Sequence, residues 1–301
     1  MSTAALAPAG QFFSPIEPEE DVVLAAPAQV HRRIRRRPAL VLAAAWLVLL
    51  VLFALVPDAF TRLDPLAADA GQAFLAPAAD HWLGTDENGR DLLSRMIHGT
   101  GISLVVGLAA TLIGLAIGSA IGLLAALGGR IADHLTGRLL DALMAFPDQL
   151  LALVIITFFG QGTTNLILAI AFAMVPRNAR LVRAQALLVR RSGYVEAAQT
   201  LGLSRFAILW RHILPNALKP LLIILPLSVG NSIAASAGLS FLGFGAPPPA
   251  PEWGAILAVG RNYLPEAWWL VAAPALAITL TVLAITVIGR TLRARSEGRA
   301  W

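Results

Sequence analysis

Six apolar stretches, at residues 39–56, 103–127, 139–159, 165–182, 218–244 and 267–289, are separated by shorter polar and basic connectors. A helix rises 1.5 Å per residue, so about 20 apolar residues cross a hydrocarbon core of about 30 Å. Each stretch is long enough or nearly so, the first being close to the lower limit. The third is the weakest, because Asp141, Pro147 and Asp148 interrupt it. The pattern predicts an all-α integral membrane protein with six transmembrane helices.

Alternation of six spans puts both termini on one side. Of the 23 Lys and Arg residues, only Arg62, Arg90, Arg95 and Arg261 then fall on the other side. The positive-inside rule therefore predicts cytoplasmic N- and C-termini, with residues 57–102 and 245–266 facing outward.

Composition agrees with this reading. The 301 residues are 57% hydrophobic and 14% charged, with a mean hydropathy of +0.72. The net charge of +5 and pI near 10.8 suggest nucleic acid in isolation, but the basic residues cluster beside the apolar stretches, and no nucleic-acid partner is expected. Cysteine is absent, which excludes disulfides, thiolate metal sites and thiol nucleophiles. The first thirty residues, rich in Ala and Pro with acids at Glu17, Glu19, Glu20 and Asp21, read as a flexible tail. The basic segment "HRRIRRRP" follows that tail, so the first apolar stretch reads as an uncleaved span.

The domain organisation expected is a tail with its basic flank (1–37), a first span (38–57) and an extracytoplasmic segment (58–101). A five-helix core (102–290) with a cytoplasmic loop at 184–216 follows, and then a C-terminal tail (291–301). In the second stretch Gly114, Gly118 and Gly122 recur every four residues, a helix-packing signal whose partner, internal or on another subunit, is open. Asp141 and Asp148 suit a helix start or the membrane interface as well as transport chemistry. Arg177, Arg180 and Arg183 are expected to snorkel as anchors at the end of the fourth stretch.

Between the fourth and fifth stretches lies a polar, helix-forming island, "YVEAAQTLGLSRFAILWRHILPN". Ser192 is positioned to cap a short helix that stops at Gly202. Ser204 is positioned to cap a second, closed by Pro215, with Asn216 left to cap the fifth span. Ala197 and Ala198 leave a shallow surface suited to docking in a groove. A connector this long and regular is seldom idle. The segment also mimics a helix-turn-helix, but Phe206, Ala207, Ile208, Leu209 and Trp210 offer no base-reading side chains.

Glu196, Ala197, Ala198, Gly202, Leu214 and Pro215 resemble the EAA signature of bacterial ABC importer permeases, although His212 replaces a usual apolar residue. From residue 81 onward, "HWLGTDENGRDLLSRMIHG", "DALMAFPDQLLAL", "ARLVRAQAL", "RHILPN", "LSFLGFG" and "PEWGAIL" follow in the order of one branch. That branch is the C-type permease subunit of dipeptide, oligopeptide or nickel importers. The resemblance implies a type I ABC importer permease architecture in the bacterial inner membrane. It also implies an ATPase-coupling element at Glu196, Ala197, Ala198, Gly202, Leu203, Arg205 and Pro215. The partners it implies are a homologous B-type permease, two cytoplasmic ATPase subunits that hold ATP and Mg, and an extracytoplasmic substrate-binding protein. Di- or oligopeptides are the expected cargo, with nickel or another small solute as the alternative. Ser236 and Arg290 stand where the branch often has acids.

The chain has no Walker A glycine-lysine motif, so no catalytic residue, cofactor or metal site is expected on it. An ion-coupled secondary transporter, the alternative from another class, usually carries internal repeats and midplane charges, and neither is evident. In the outward motif "LGTDENGRD", Asp86, Gly89, Arg90 and Asp91 suit a docking or folding role and lack the spacing of a calcium loop. Pro247, Pro248, Pro249 and Pro251 are expected to stiffen the second outward loop, with Trp253, Trp268 and Trp269 at the membrane interface.

Overall fold

The computed structural model describes residues 37–296. The expected N-terminal tail, its basic flank up to residue 36 and the last five residues lie outside the described residues. The described residues form ten α-helices in chain order: α1 (Arg37–Leu55), α2 (Leu92–Leu127), α3 (Gly129–Met144), α4 (Asp148–Phe159), α5 (Thr163–Arg190), α6 (Gly193–Thr200), α7 (Arg205–Ile208), α8 (Leu214–Phe241), α9 (Trp253–Gly260) and α10 (Trp269–Ser296). Among the described residues the only β pairing is an isolated antiparallel bridge between Thr85 and Asp91.

Five helical segments are long and apolar enough to cross a membrane: α1, α2, α5, the run from Arg205 through α8, and α10. The third stretch differs from the single span expected over 139–159. It is a pair of helices, α3 and α4, bent by 93° at a short break. Pro147 causes the break: it disfavours helical geometry at Phe146 before it, while its own φ of −58° suits the start of α4. The described residues thus contain five candidate spans, or six if the bent pair counts as one.

α5 is the central helix, with 56% of its most apolar window buried against 11% for α1. Its most extensive partner is α2. The close approach follows from the glycines. A methyl built on Gly114 would sit 2.8 Å from the Ala171 carbonyl, and one on Gly118 would sit 2.6 Å from Asn178 Cβ. One on Gly122 would overlap the Ala179 carbonyl and come within 2.9 Å of Val182 Cβ. The stripe is filled by α5 of the same chain. Around it Val106, Ala110, Ala152, Ile156, Leu166 and Ile170 form a core between α2, α4 and α5. Dispersion and close backbone approach hold such a bundle, since lipid tails compete with apolar side chains on equal terms.

α2 begins about three helical turns before the apolar stretch that hydropathy marks, because Asp91 caps it: the carboxylate accepts from Ser94 N at 2.7 Å. Its polar first turns are buried against residues 57–91 and 249–270, which close one end of the bundle. Trp253 is 2% exposed there, donating its indole N–H to Met96 O at 2.9 Å. This corrects the expected interfacial position. Trp269 is also buried and donates to Thr85 O, whereas Trp268 is exposed.

Candidate functional site

At the opposite end of the bundle, α5 stops at Arg190 and the island begins. Ser192 sits in extended conformation before α6, its carbonyl accepting from Val195 N and Glu196 N, while its hydroxyl turns back to Val189 O at 2.6 Å. After Thr200 the chain reverses at Gly202, whose φ of +77° suits glycine. Gly202 N donates to Gln199 O and Leu203 N to Ala198 O, a Schellman-type closure. Ser204 then caps α7, its hydroxyl accepting from Ala207 N at 3.2 Å.

Pro215 does not close this second helix. A π-helical turn at Leu209–Ile213 follows α7 and leads straight into α8. Leu214 N donates to Leu209 O across five residues, and the wider turn absorbs the bond that Pro215 cannot make. Asn216 therefore caps nothing new; its side chain donates to His212 O at 2.7 Å. Through this turn the second part of the island, from Arg205 onward, is continuous with α8.

The island residues divide into two faces. Val195 and Ala198 turn inward with Ile208, Ile213 and Ala217 against Ala126, Ala186 and Val189, and Leu203 packs beside them. The spacing explains it, since positions 195 and 198 share one helix face. Ala198 is thus part of the fastening, not of the shallow outer surface expected. Glu196, Ala197, Gly202, Arg205 and Pro215 are exposed, accompanied by Leu201, Phe206 and Trp210. Phe206 and Trp210 lie against each other in a tilted arrangement, 5.9 Å between ring centroids. An outward row of one acid, one base, small residues and three large apolar groups results.

Arg177, Arg180 and Arg183 are not free to snorkel. Each pairs with an acid of the bent helices: Arg177 with Asp148, Arg180 with Asp141, and Arg183 with Asp133 through two bonds. Three-residue spacing keeps the arginines near one face of α5, and the acids track that face across the α3–α4 bend. Between α4, α5 and α8 lies a cleft of about 450 Å³ that includes Asp148, Arg177, Asn178 and Asn231. Ser236, 2% exposed, is bonded to Ile233 O, and Arg290 is exposed near the end of α10.

At the closed end, Asp86, Gly89, Arg90 and Asp91 come together in one turn. Asp86 accepts from Asn88 N, Arg90 N and Arg90 Nε at 2.7–3.0 Å, and Arg95 Nε lies 3.4 Å away. Asp91 meets His81 Nδ1 at 2.9 Å, and His81 Nε2 meets Gln72. Gly89 has a φ of +72°, and a methyl there would overlap the Asp69 carbonyl. Glu252 is 1% exposed; its carboxylate accepts from Ser240 Oγ and Gly254 N. Burial pushes its pKa up, and those hydrogen bonds offset part of the shift.

A helical membrane bundle with a rigid polar island at one end and a closed polar cap at the other defines a multi-pass transport component. Residues 118–300 match the family described as binding-protein-dependent transport system inner membrane component. The glutathione transport system permease protein GsiD of Escherichia coli O1:K1 is 40% identical over 267 residues, covering 87% of each chain. The di/tripeptide transport system permease protein DppC of Pseudomonas aeruginosa is 43% identical over 211 residues, 70% of each chain. Among solved structures, the MetNI methionine ABC transporter in an inward-facing conformation superposes with a TM-score of 0.56 at 19% identity. That match spans 67% of this chain and 97% of the other, and it is a likeness of fold.

The chain belongs to the binding-protein-dependent transport permease family. It is an inner-membrane permease subunit of an ABC importer and has no ATPase site of its own; a partner ATPase hydrolyses the nucleotide.

Proposed function

We propose that this subunit forms half of a passage for di- and oligopeptides and that its island couples the passage to the ATPase. The island end is then cytoplasmic, together with both termini, and the closed end faces the substrate-binding protein. A homologous B-type permease supplies the other half, and two ATPase subunits hold ATP and Mg. Relatives named for di/tripeptides and for glutathione support peptide cargo.

The observation that carries the coupling reading is the two-faced island. Its outer row, Glu196, Ala197, Gly202 and Arg205, is exposed, while its inner row is locked into the core, and from Arg205 onward the island runs unbroken into α8. A displacement imposed on the outer row reaches α8 directly from Arg205 onward and, from α6, through the buried contacts of Val195 and Ala198.

The test is uptake of labelled dipeptide by the complete complex in liposomes, with ATP hydrolysis measured in parallel. Glu196→Lys reverses the charge of the outer face. Gly202→Trp adds bulk to that face and strains a left-handed residue by about 1–2 kcal/mol. Both variants are expected to insert normally and to lose most uptake per ATP hydrolysed. Wild-type uptake in both sinks the coupling role. Uptake of a nickel chelate with no peptide uptake in the wild-type complex sinks the cargo assignment alone.

A further inference from the structure

The cleft between α4, α5 and α8 has a lining that the sequence does not announce. One amide side chain comes from each helix: Gln149 from α4, Asn178 from α5 and Asn231 from α8. Ser228 and Ser232 add hydroxyls, and the apolar wall combines alanines such as Ala152 and Ala235 with larger residues such as Ile170, Leu181 and Leu227. The lining's acid and base, Asp148 and Arg177, pair with each other, so the surface is close to neutral, a mostly apolar wall set with a few amides and hydroxyls.

Asn178 is the unusual member. It is 3% exposed, its Cβ is held against Gly118 of α2, and its amide Nδ2 has no hydrogen-bond partner. A buried amide N–H without an acceptor is destabilising and rare in folded proteins. Here the group borders a cleft large enough for a short peptide. A carbonyl passing through that cleft supplies the missing acceptor.

We infer that Asn178, with Asn231 across the cleft, contacts the backbone of peptides in transit. A primary amide both donates and accepts, so it pairs with peptide C=O and N–H groups whatever the side chains are. A net-neutral lining neither selects nor rejects charged residues. The cleft is in this reading a backbone-reading surface without charge preference, and the inference rests on the proposed peptide cargo.

The test uses the complete reconstituted complex and three tripeptides, Ala-Ala-Ala, Ala-Lys-Ala and Ala-Glu-Ala. Asn178→Asp keeps the shape and adds a negative charge. It is expected to raise the ratio of Lys-peptide to Glu-peptide uptake about tenfold over wild type. A residue that only supports packing does not move that ratio.

Because the chain has no cysteine, a thiol introduced as Asn231→Cys is unique on it. Its modification by a maleimide is expected to slow in the presence of tripeptide. A control thiol from Gly238→Cys, on the same helix with open space around it, is expected to react at an unchanged rate. An assembled Asn178→Asp complex with the wild-type ratio, or an Asn231→Cys thiol that reacts at the same rate with and without peptide, overturns the inference while leaving peptide import intact. If Asn178→Asp fails to assemble, the thiol measurement decides alone. A wild-type complex that imports no peptide overturns the cargo reading and the inference with it.

Discussion

Gly118 is the position at which the α2–α5 contact is most directly testable. A methyl there lies 2.6 Å from Asn178 Cβ and 3.1 Å from both Ala179 N and the Val175 carbonyl. Ordinary contact begins at 3.4 Å, so the closest approach is short by 0.8 Å. None of these neighbours is the end of a flexible side chain, so relief requires moving one helix off the other. Overpacking of this kind costs about 1–3 kcal/mol, and the rigid neighbours place Gly118→Ala near the upper figure. Alanine returns about 1 kcal/mol through helix propensity. The net loss is about 2 kcal/mol, or about 4–8 °C at about 2–4 °C per kcal/mol. The control is Gly238→Ala in α8, where a methyl meets nothing within 4 Å and only the propensity gain remains. Thermal unfolding of the purified variants in detergent, followed by tryptophan fluorescence, gives both midpoints under one set of conditions. A Gly118→Ala midpoint at or above that of Gly238→Ala refutes the packing argument.

Two further outcomes concern the closed end. Asp86→Asn leaves Arg90 and Arg95, 7% and 5% exposed, without the carboxylate between them. Unbalancing buried ions costs about 3–5 kcal/mol, so protease cleavage within residues 57–91 is expected to accelerate sharply, and unchanged cleavage contradicts the role assigned to Asp86. Glu252 retains its proton in the folded chain at pH values where an unfolded glutamate has lost it, because burial raises its pKa. Its effect on stability is therefore neutral in acid and increasingly unfavourable as pH rises above the ordinary carboxylate range. Glu252→Gln should gain stability over wild type as pH rises above the ordinary glutamate value of about 4, and a pH-independent difference in midpoint argues against a retained proton.

What was legible in the sequence is local, and what was not is tertiary. Hydropathy located five of the long helices because each carries its own apolar window. Ser204 and Gly202 marked the turns of the island because caps and left-handed residues are chosen within a few positions. The closure expected at Pro215 failed because the neighbouring π turn supplies the slack, and that depends on five consecutive backbone conformations. The start of α2 was missed because Ser94, Arg95 and Thr100 read as exposed connector. Their burial comes from residues 57–91 and 249–270 folding over them.

The arginines of α5 show the same division most clearly. Snorkelling is the economical reading when Arg177, Arg180 and Arg183 are taken alone, and their acids lie 29, 39 and 50 residues away. A signal was nevertheless present, since the acids Asp133, Asp141 and Asp148 fall around the third apolar stretch and call for partners there. Three acids in or beside one stretch and three bases in the next are a pairing pattern. Exposed pairs such as Arg177–Asp148 and Arg180–Asp141 contribute little each, about 0–1 kcal/mol. The two-bonded Arg183–Asp133 pair, about two-thirds shielded, is the firmer attachment. Their joint effect is therefore chiefly geometric: they fix α3 and α4 on either side of the Pro147 bend against α5. That places Gln149 on the same cleft as Asn178.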